Sequence, residues 1–170
     1  MAGLCAAIAA ARHGLKVALF HDRPVLGVNS SSEIRMWPGG AWGENNRETG
    51  IIEEILLENY YLNPLSNYSV WDSILYGKAM YQKGLALLLN CSCVDLEMQG
   101  RRIKSVKGWQ LTTETWHTVS ADVFADCSGD SILINGTYRN TAGTYSDTLN
   151  SVSGCDRVIA TTLTVNPGDI

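Results

Sequence analysis

The residues at the start of the chain have the types and spacing that bind a phosphate. Met1-Ala2-Gly3 leads into an Ala-rich helical run that ends at Gly14. In dinucleotide-binding turns of the form G-x-G-x-x-G, the last glycine opens a helix whose free N–H groups hold a pyrophosphate. Only x-x-G and the helix are present here. We therefore predict the second half of such a turn, in a chain that is a fragment of a longer protein.

A second group of residues suited to ligand contact follows the apolar run Val123-Phe124-Ala125. We predict that this run is a short buried strand and that Asp126-Cys127-Ser128-Gly129-Asp130 follows its carboxyl end. Ligands of α/β sheets bind at the carboxyl ends of the strands. The acid and glycine residues of this segment are therefore a second candidate for ligand contact.

The cysteines argue against both a disulfide framework and a metal site. The five are Cys5, Cys91, Cys93, Cys127 and Cys155. Their odd number and wide spacing favour a reducing compartment, by default the cytoplasm. Cys91 and Cys93 would share one face of a strand, but no second Cys or His pair completes four metal ligands, so we expect buried packing. An iron–sulfur centre would need four clustered cysteines, which this chain lacks.

The elements that position these residues alternate between helix and strand. Gly14 predicts a left-handed end to the first helix, and residues 16–20 form an apolar, β-rich run that ends at His21-Asp22. A polar loop with Gly27 and three consecutive serines spans residues 23–46. Loops of this length within a compact domain are usually functional.

Two amphipathic helices and a second strand come next. The spacing predicts helices over residues 47–61 and 70–83, which end at Asn63-Pro64 and at Gly84. Their expected apolar faces are Ile51, Ile52, Ile55, Leu56 and Tyr60 in the first, and Trp71, Ile74, Leu75 and Ala79 in the second. Residues 85–90 form a continuous apolar run, which predicts a parallel strand that is buried on both faces and joins the strand at residues 16–20.

The second half of the chain changes to a β pattern. Residues 94–119 contain short alternating segments broken by Gly100 and Gly108, which predict an antiparallel meander. Residues 137–170 are polar and rich in Thr, Ser, Asn and Gly, and we expect loops and the beginnings of strands there.

Composition excludes several classes of partner. The 170 residues are 45% hydrophobic and 18% charged, which is typical of a soluble globular protein. The net charge is −4, with 13 basic against 17 acidic residues and no basic stripe, which argues against nucleic acid or an anionic membrane as a partner. The apolar stretch at residues 3–11 is too short to span a bilayer.

Five segments, in this order, carry a resemblance to a known family. They are GLCAAIAAARHG from Gly3, LGVNSSSEIR from Leu26, RETGIIEE from Arg47, GWQLTTE from Gly108 and DCSGD from Asp126. Together they resemble the FAD-dependent oxidoreductase family with the glutathione-reductase-type flavoprotein fold, and more narrowly the relatives of the heterodisulfide reductase flavoprotein subunit. The resemblance implies an α/β fold: an incomplete Rossmann-like FAD/NAD(P)-binding domain with a parallel sheet, helices and an antiparallel β-meander.

The resemblance also implies two domains. Residues 1–134 would be a partial FAD-binding domain that lacks the first strand and the first two glycines of the fingerprint. Residues 135–170 would be the start of a following β-rich region, cut short. The wider family includes members with iron–sulfur clusters, for which this chain has no ligand cluster.

A set of FAD contacts follows from the same resemblance. The residues implied to bind FAD are Gly3, Asp22, Arg23, Gly27, Asn29, Ser30, Ser31, Cys93, Val94, Ser128, Gly129 and Asp130. Gly3 would approach the pyrophosphate, and Asp22 would accept a hydrogen bond from the adenosine ribose. The loop 27–31 would lie along the phosphates and the ribitol, the backbone at 93–94 would contact the adenine, and 128–130 would close over the phosphates.

Two positions depart from the pattern of this family. His21 stands where the family usually has an acid, and Val28 stands where it usually has a second glycine. A displaced acid and a lost glycine would both loosen the fit to the cofactor.

These observations predict part of an FAD-dependent oxidoreductase that transfers hydride or electrons on a small-molecule substrate and is inactive by itself. A nicotinamide-dependent dehydrogenase would use the same helix and strand, although the Ser-rich loop and the meander favour FAD. A non-catalytic carbohydrate-binding module would instead use its tryptophans, Trp37, Trp42, Trp109 and Trp116, as stacking platforms. Loss of a central strand would leave unpaired sheet edges, so we expect self-association through these edges.

Overall fold

The chain divides into two compact units, Met1–Cys127 and Ser128–Ile170. The computed structural model describes residues 1–128 apart from Trp42 and Asn45, and beyond them the strands at residues 133–134, 137–138, 143–149 and 157–163. The first unit contains α1 (Ala2–Arg12), β1 (Val17–Phe20), α2 (Gly50–Leu62), α3 (Tyr68–Met80), β2 (Leu85–Leu88), β3 (Cys91–Gln99), β4 (Arg102–Gln110) and β5 (Thr115–Ser120). The second contains β6 (Leu133–Ile134), β7 (Thr137–Tyr138), β8 (Gly143–Leu149) and β9 (Arg157–Leu163), paired antiparallel as β6–β7 and β8–β9.

Helix α1 packs on the core through a single stripe and ends as predicted. Its buried residues are Leu4, Ala7, Ile8 and Ala11, the i, i+3, i+4, i+7 spacing of one helical face. Gly14 has a φ of +86°, and the N–H groups of Gly14 and Leu15 donate to the carbonyls of Ala11 and Ala10. This pair of hydrogen bonds is the Schellman motif, which closes the helix and reverses the chain into β1.

Strands β1 and β2 form the predicted parallel pair. Their register runs from Val17 opposite Leu85 to Phe20 opposite Leu88. The prediction that β2 is buried on both faces is wrong, because Ala86 is exposed. The helices pack only on the face that carries Leu87, so the opposite face at Ala86 is not covered by the described residues.

The two long helices follow the predicted order, but α2 begins at Gly50 rather than Arg47 and α3 ends at Met80 rather than Lys83. All four predicted core residues of α3 are buried, but the helix begins earlier, because the Asn67 side chain caps it by accepting from the Ser69 N–H at 2.8 Å. In α2, Tyr60 is exposed and Asn59 is buried instead. The Asn59 side-chain oxygen accepts from Asn63 Nδ2 at 2.9 Å, which satisfies a polar group in this position.

The meander β3–β4–β5 is antiparallel throughout, as the alternating pattern predicted. It approaches β1 through Gly108, where a Cβ would lie 2.6 Å from Cε2 of Phe20 and 2.9 Å from Sγ of Cys91. Cys91 is buried in this contact, so the packing interpretation of that cysteine is confirmed. For Cys93 the same prediction is wrong, because this residue is exposed. The first unit is thus the predicted mixture of a parallel sheet, helices and an antiparallel meander.

The run Val123-Phe124-Ala125 is not a strand, contrary to the sequence-based prediction, and Val123 is exposed. A strand forms only where a neighbouring strand supplies its backbone partners. Within the described part of the chain, β1 and β2 pair only with each other, so this run has no ladder to join.

Among the helices that the structure describes, none is long and apolar enough to cross a membrane.

Candidate cofactor-binding site

The carboxyl ends of β1 and β2 form the edge at which the predicted contacts collect. Because α1 leads into β1 through a tight reversal, the N-terminus of α1 lies at this edge. The N–H of His21 donates to the Leu88 carbonyl, and the N–H of Cys91 donates to the His21 carbonyl, both at 2.9 Å. These bonds hold the two strand ends together, and such an edge is where α/β sheets bind ligands.

The N-terminus of α1 carries no negative charge of its own. Met1 is the N-cap residue and makes no side-chain cap bond, and the first turn contains no acidic residue. The first amide groups of a helix lack partners within the helix and carry a partial positive charge. This end of α1 therefore suits an anionic phosphate.

Gly3 packs closely against the segment that follows the meander. A Cβ at this position would lie 3.0 Å from Cβ of Cys127, closer than ordinary contact. Cys93 is exposed as a residue, but partial burial of its thiol raises the pKa, and the carboxylate of Asp126, next to Cys127 in the chain, raises it further. The structure thus brings together two regions singled out in the sequence, Gly3 and the start of the Asp126 segment.

The loop after Leu26 is a tight turn that requires its glycine. Gly27 has a φ of +103°, and a Cβ there would lie 2.7 Å from Oγ of Ser30 and 2.8 Å from Cδ1 of Leu75. Ser30 and Ser31 are buried, and their hydroxyls donate to the carbonyls of Gly27 and Val28 at 3.1 and 2.7 Å. These hydroxyls shape the turn, and Asn29 is exposed at its surface.

Val28 occupies a backbone conformation that favours glycine. Its φ is +49°, in the left-handed region that β-branched residues rarely adopt. A residue with a Cβ pays about 1–2 kcal/mol there. The position at which this chain departs from the expected glycine is therefore a strained one.

The acidic residue that follows β1 is exposed. Asp22 is on the surface, and among the described residues no group bonds to its carboxylate. Arg23 lies 3.6 Å from the Glu33 carboxylate. The Nε2–H of His21 donates to the Val25 carbonyl at 2.8 Å, so the histidine supports the loop. Asp22 therefore keeps a carboxylate available to a hydroxyl ligand at this edge.

The remaining predicted contacts divide between described and undescribed residues. In β3, the pairing shifts between Cys93 and Asp95, so Val94 has no opposite residue in the described strand β4 and is exposed. A bulge of this kind changes the direction of the backbone and its side chains. Ser128 is the first residue of the second unit and is exposed, while Gly129 and Asp130 lie outside the described residues.

Contacts that fix the Ser-rich loop were missed in the sequence. The Ser32 N–H donates to Oδ1 of Asp72 at 3.0 Å, and the Tyr68 hydroxyl donates to the Arg35 carbonyl. Trp37 stacks on Tyr68 with ring centroids 4.5 Å apart. Asp72 and Tyr68 lie in the first turns of α3. A polar and an aromatic residue near the start of this helix were the only features of the sequence that could have indicated its contacts with the loop.

Trp109 and Trp116 do not form a flat surface for a sugar. Trp109 and Trp116 are tilted by 52° at 4.9 Å, and Nζ of Lys107 lies 4.4 Å from the centre of the Trp116 ring. Trp42, the other residue named for this role together with Trp37, lies outside the described residues. The carbohydrate alternative therefore gains no support from the rings.

Thiols and carboxylates do not gather into a metal centre in the part of the chain that is described: no group of three or more His, Cys, Asp or Glu there could hold an ion. Cys5, Cys91, Cys93 and Cys127 are free. Burial raises the pKa of the Cys5 thiol. The pKa of the Cys91 thiol is also raised, mainly by burial and to a smaller extent by the nearby Cys93 thiol.

The features at this edge fit a dinucleotide. An uncapped helix N-terminus, a glycine in close contact beside it, and a glycine turn that a Cβ would obstruct are the parts that a pyrophosphate-binding site needs. The exposed carboxylate of Asp22 adds an acceptor for a ribose hydroxyl. The residues present therefore fit FAD.

Comparison with known proteins agrees with this geometry. The sequence model of the family described as FAD dependent oxidoreductase matches residues 1–137 of the chain. No curated protein and no solved structure gave a match. The match extends over α1, the glycine turn, α2, α3 and the meander, whereas the narrower resemblance to heterodisulfide reductase relatives stays a prediction. The chain belongs to the FAD dependent oxidoreductase family, whose cofactor is FAD and whose chemistry is redox.

Proposed function

We propose that this chain binds FAD at the carboxyl edge of β1 and β2 and forms part of an enzyme that transfers hydride or electrons on a small organic substrate. The observation that carries the proposal is the meeting of the uncapped N-terminus of α1 with the Cys127 segment, through Gly3. The turn at Gly27 belongs to the same region, because Leu26 and Leu4 of α1 share one core cluster.

The chain's own residues bind and orient the cofactor, and bound FAD supplies the redox chemistry. The N–H groups at the start of α1 hold the pyrophosphate, with Gly3 allowing close approach. The Asp22 carboxylate accepts a hydrogen bond from the adenosine ribose, with Arg23 beside it. The exposed surface of Val94 and the backbone at Cys93 receive the adenine.

The loop 27–31 adds the other proposed contacts within the first unit. The loop lies along the phosphates and the ribitol, with its shape fixed by the two buried hydroxyls and its exposed Asn29 turned to solvent. The contacts with the phosphates that the resemblance implies for Ser128, Gly129 and Asp130 stay a prediction, because Gly129 and Asp130 lie outside the described residues. The substrate and its acid or base catalyst are not assigned to residues of this chain.

We propose further that this chain is a fragment whose parallel sheet is completed by another strand next to β1. The support is the run Val123-Phe124-Ala125, which has strand-forming side chains but no ladder in the described part of the chain. Cys127, just after this run, lies against Gly3 at the start of α1. A strand leading into α1 would pair with Val123-Phe124-Ala125 on one side and with β1 on the other. Without that strand, the unpaired edges would favour self-association.

A titration of the purified chain with FAD, followed by quenching of flavin fluorescence, tests the proposed site. The Gly3→Ala variant should bind FAD at least about fivefold more weakly, because the new methyl displaces Cys127 at a strain cost of about 1–3 kcal/mol. Gly77→Ala is the matched control, since a Cβ at this helical position meets nothing closer than 3.9 Å. Equal affinities in the two variants would contradict the proposed place of the pyrophosphate.

A further inference from the structure

Helices α2 and α3 leave an open groove between them on the surface of the first unit. The groove has a volume of about 460 Å³ and is lined mostly by apolar side chains. Its α3 wall is a single helical stripe, formed by Val70, Ile74, Gly77 and Tyr81. Leu62 lines it on the α2 side. Because Gly77 has no side chain, the groove has room for a side chain from outside.

The solvent side of α2 carries an apolar stripe of its own. Leu57, Tyr60 and Tyr61 have the i, i+3, i+4 spacing of one helical face and are 60%, 74% and 85% exposed. The opposite side of the same helix buries Ile55 in the core. A helix that is apolar all round is normally covered all round. Among the described residues, nothing covers this outer stripe.

The outer stripe and the groove are neighbours on α2. Glu58 and Leu62 line the groove, and each directly follows a residue of the stripe, Leu57 or Tyr61. Consecutive residues of a helix lie about 100° apart around its axis. The stripe is therefore a ridge beside the groove. A two-fold axis next to α2 would set the ridge of each copy into the groove of the other, a contact that closes at two chains.

Charge does not oppose such a contact. The chain has a net charge of −4, which by itself would repel a second copy. All three carboxylates of α2 are paired with cations, however: Glu53 with Arg47, Glu54 with Arg12 and Lys78, and Glu58 with Lys78. Two copies could therefore meet through this helix without bringing unpaired carboxylates of α2 together.

The exposed apolar area is that of a dimer interface. We call this area the tyrosine face and define it as Leu57, Tyr60, Tyr61, Leu62, Leu65 and Tyr81. Its three tyrosines expose about 500 Å², and its three leucines add about 200 Å². Stable interfaces bury about 600–1,000 Å² of each partner. The face is also rich in tyrosine, a residue type that is enriched at interfaces.

We infer that the tyrosine face joins two copies of this chain in a two-fold dimer, with Leu57 and Tyr61 of each copy in the α2–α3 groove of the other. A second copy is the fitting occupant because every chain carries both the ridge and the groove. This association differs from association through unpaired sheet edges, because it uses helices and stops at two chains.

Sedimentation equilibrium of the purified chain over a hundredfold range of concentration measures the association. The wild type should shift from one to two chain masses. Tyr61→Lys should raise the dissociation constant at least about tenfold, because it places a charge in an apolar groove. Gly77→Leu should act alike by filling the groove, and it spares the fold, since a Cβ there meets nothing closer than 3.9 Å. The control is Tyr76→Lys, at an exposed tyrosine of α3 outside the groove, which should leave the dimer intact.

Every other result overturns the inference. A wild-type chain that stays monomeric would assign the tyrosine face to another partner. Association that survives Tyr61→Lys would point to the sheet edges, and equal loss in Tyr76→Lys would show that any added lysine disrupts it. A dimer that survives Gly77→Leu would exclude the groove. The measurement needs no cofactor, so its result is independent of the proposed FAD site.

Discussion

The carboxylate of Glu54 connects all three helices of the first unit, and its replacement by Gln is the most informative change in the scaffold. Arg12 of α1 donates to both of its oxygens, at 2.8 and 3.0 Å, and Nζ of Lys78 in α3 donates to it at 2.7 Å. Lys78 also pairs with Glu58. Because α1 carries the proposed phosphate site at its other end, this network helps to hold the site in place.

The bonds from Arg12, and then those from Lys78, lower the pKa of Glu54 from its ordinary value of 4.5 to about 2. At full weight this difference would correspond to about 3 kcal/mol. The Glu54 side chain is 39% exposed, so solvent screens its charge and reduces the contribution. We expect Glu54→Gln to lower the free energy of unfolding by about 1–2 kcal/mol at pH 7.

The sign of the pH dependence follows from the lowered pKa. A carboxyl group whose pKa is lower in the folded state stabilises fully above its unfolded pKa of 4.5, and that stability is lost as pH falls through about 2. The difference between wild type and Glu54→Gln should therefore be complete at pH 7, clearly smaller at pH 3 and absent below about pH 2.

Urea unfolding at pH 7 and pH 3, followed by far-ultraviolet circular dichroism, measures this difference. Glu53→Gln is the matched control, because Glu53 lies 3.5 Å from Arg47, whose side chain is 80% exposed. An exposed pair of this kind contributes less than about 1 kcal/mol. Equal loss of stability in the two variants at pH 7, or a Glu54→Gln difference as large at pH 3 as at pH 7, would refute the reasoning.

Three further predictions concern the backbone and thiols around the candidate site. Val28→Gly should raise the free energy of unfolding by about 0.5–1 kcal/mol, since relief of the left-handed strain exceeds the entropy cost of glycine, whereas Val123→Gly should lower it in the same urea assay. Gly108→Ala should cost about 1–3 kcal/mol by thermal unfolding, because its methyl would lie 2.9 Å from Sγ of Cys91. In the folded chain, exposed Cys93 should react with a thiol reagent well before buried Cys91. Both reaction rates should rise with pH, because both thiol pKa values are raised and the thiolate is the reactive form. Equal rates for the two cysteines would contradict the fold at β3.

Periodicity predicted the parts of the fold that depend on local pattern. The stripe of α1, the four core residues of α3 and the alternation of the meander each repeat with the period of their element, so the buried face could be derived residue by residue. The positive φ of Gly14 followed from its place after a helix. These features need no knowledge of distant contacts.

The errors arose where a distant partner decides the structure. Ala86 is exposed because the helices cover one face of β1 and β2, and Val123 is outside any strand because its ladder partner is not among the described residues. In a third case the partner is local but polar: Asn59 replaces Tyr60 in the core because Asn63, four residues later, satisfies its polar group. None of these outcomes is encoded in the spacing of apolar residues.

The candidate site shows the same division. The sequence pattern placed Gly3 and Gly27 in roles that need glycine, and the structure gives each a close contact that a Cβ would obstruct. The loop 27–31 was expected to lie along the phosphates and the ribitol, and the hydroxyls of Ser30 and Ser31 prove to be bonded within the loop itself. The stacking of Trp37 on Tyr68 could not be derived from the sequence, because it depends on how the loop after Gly27 packs against α3.

The central claim, that this chain binds FAD at the start of α1, is tested most directly by the absorption spectrum of the purified chain with added FAD, together with a fluorescence titration. We expect saturable binding with one FAD per chain and a shift of the flavin absorption bands on binding. A chain that is folded by circular dichroism but leaves the flavin spectrum and fluorescence unchanged at all FAD concentrations would contradict the claim.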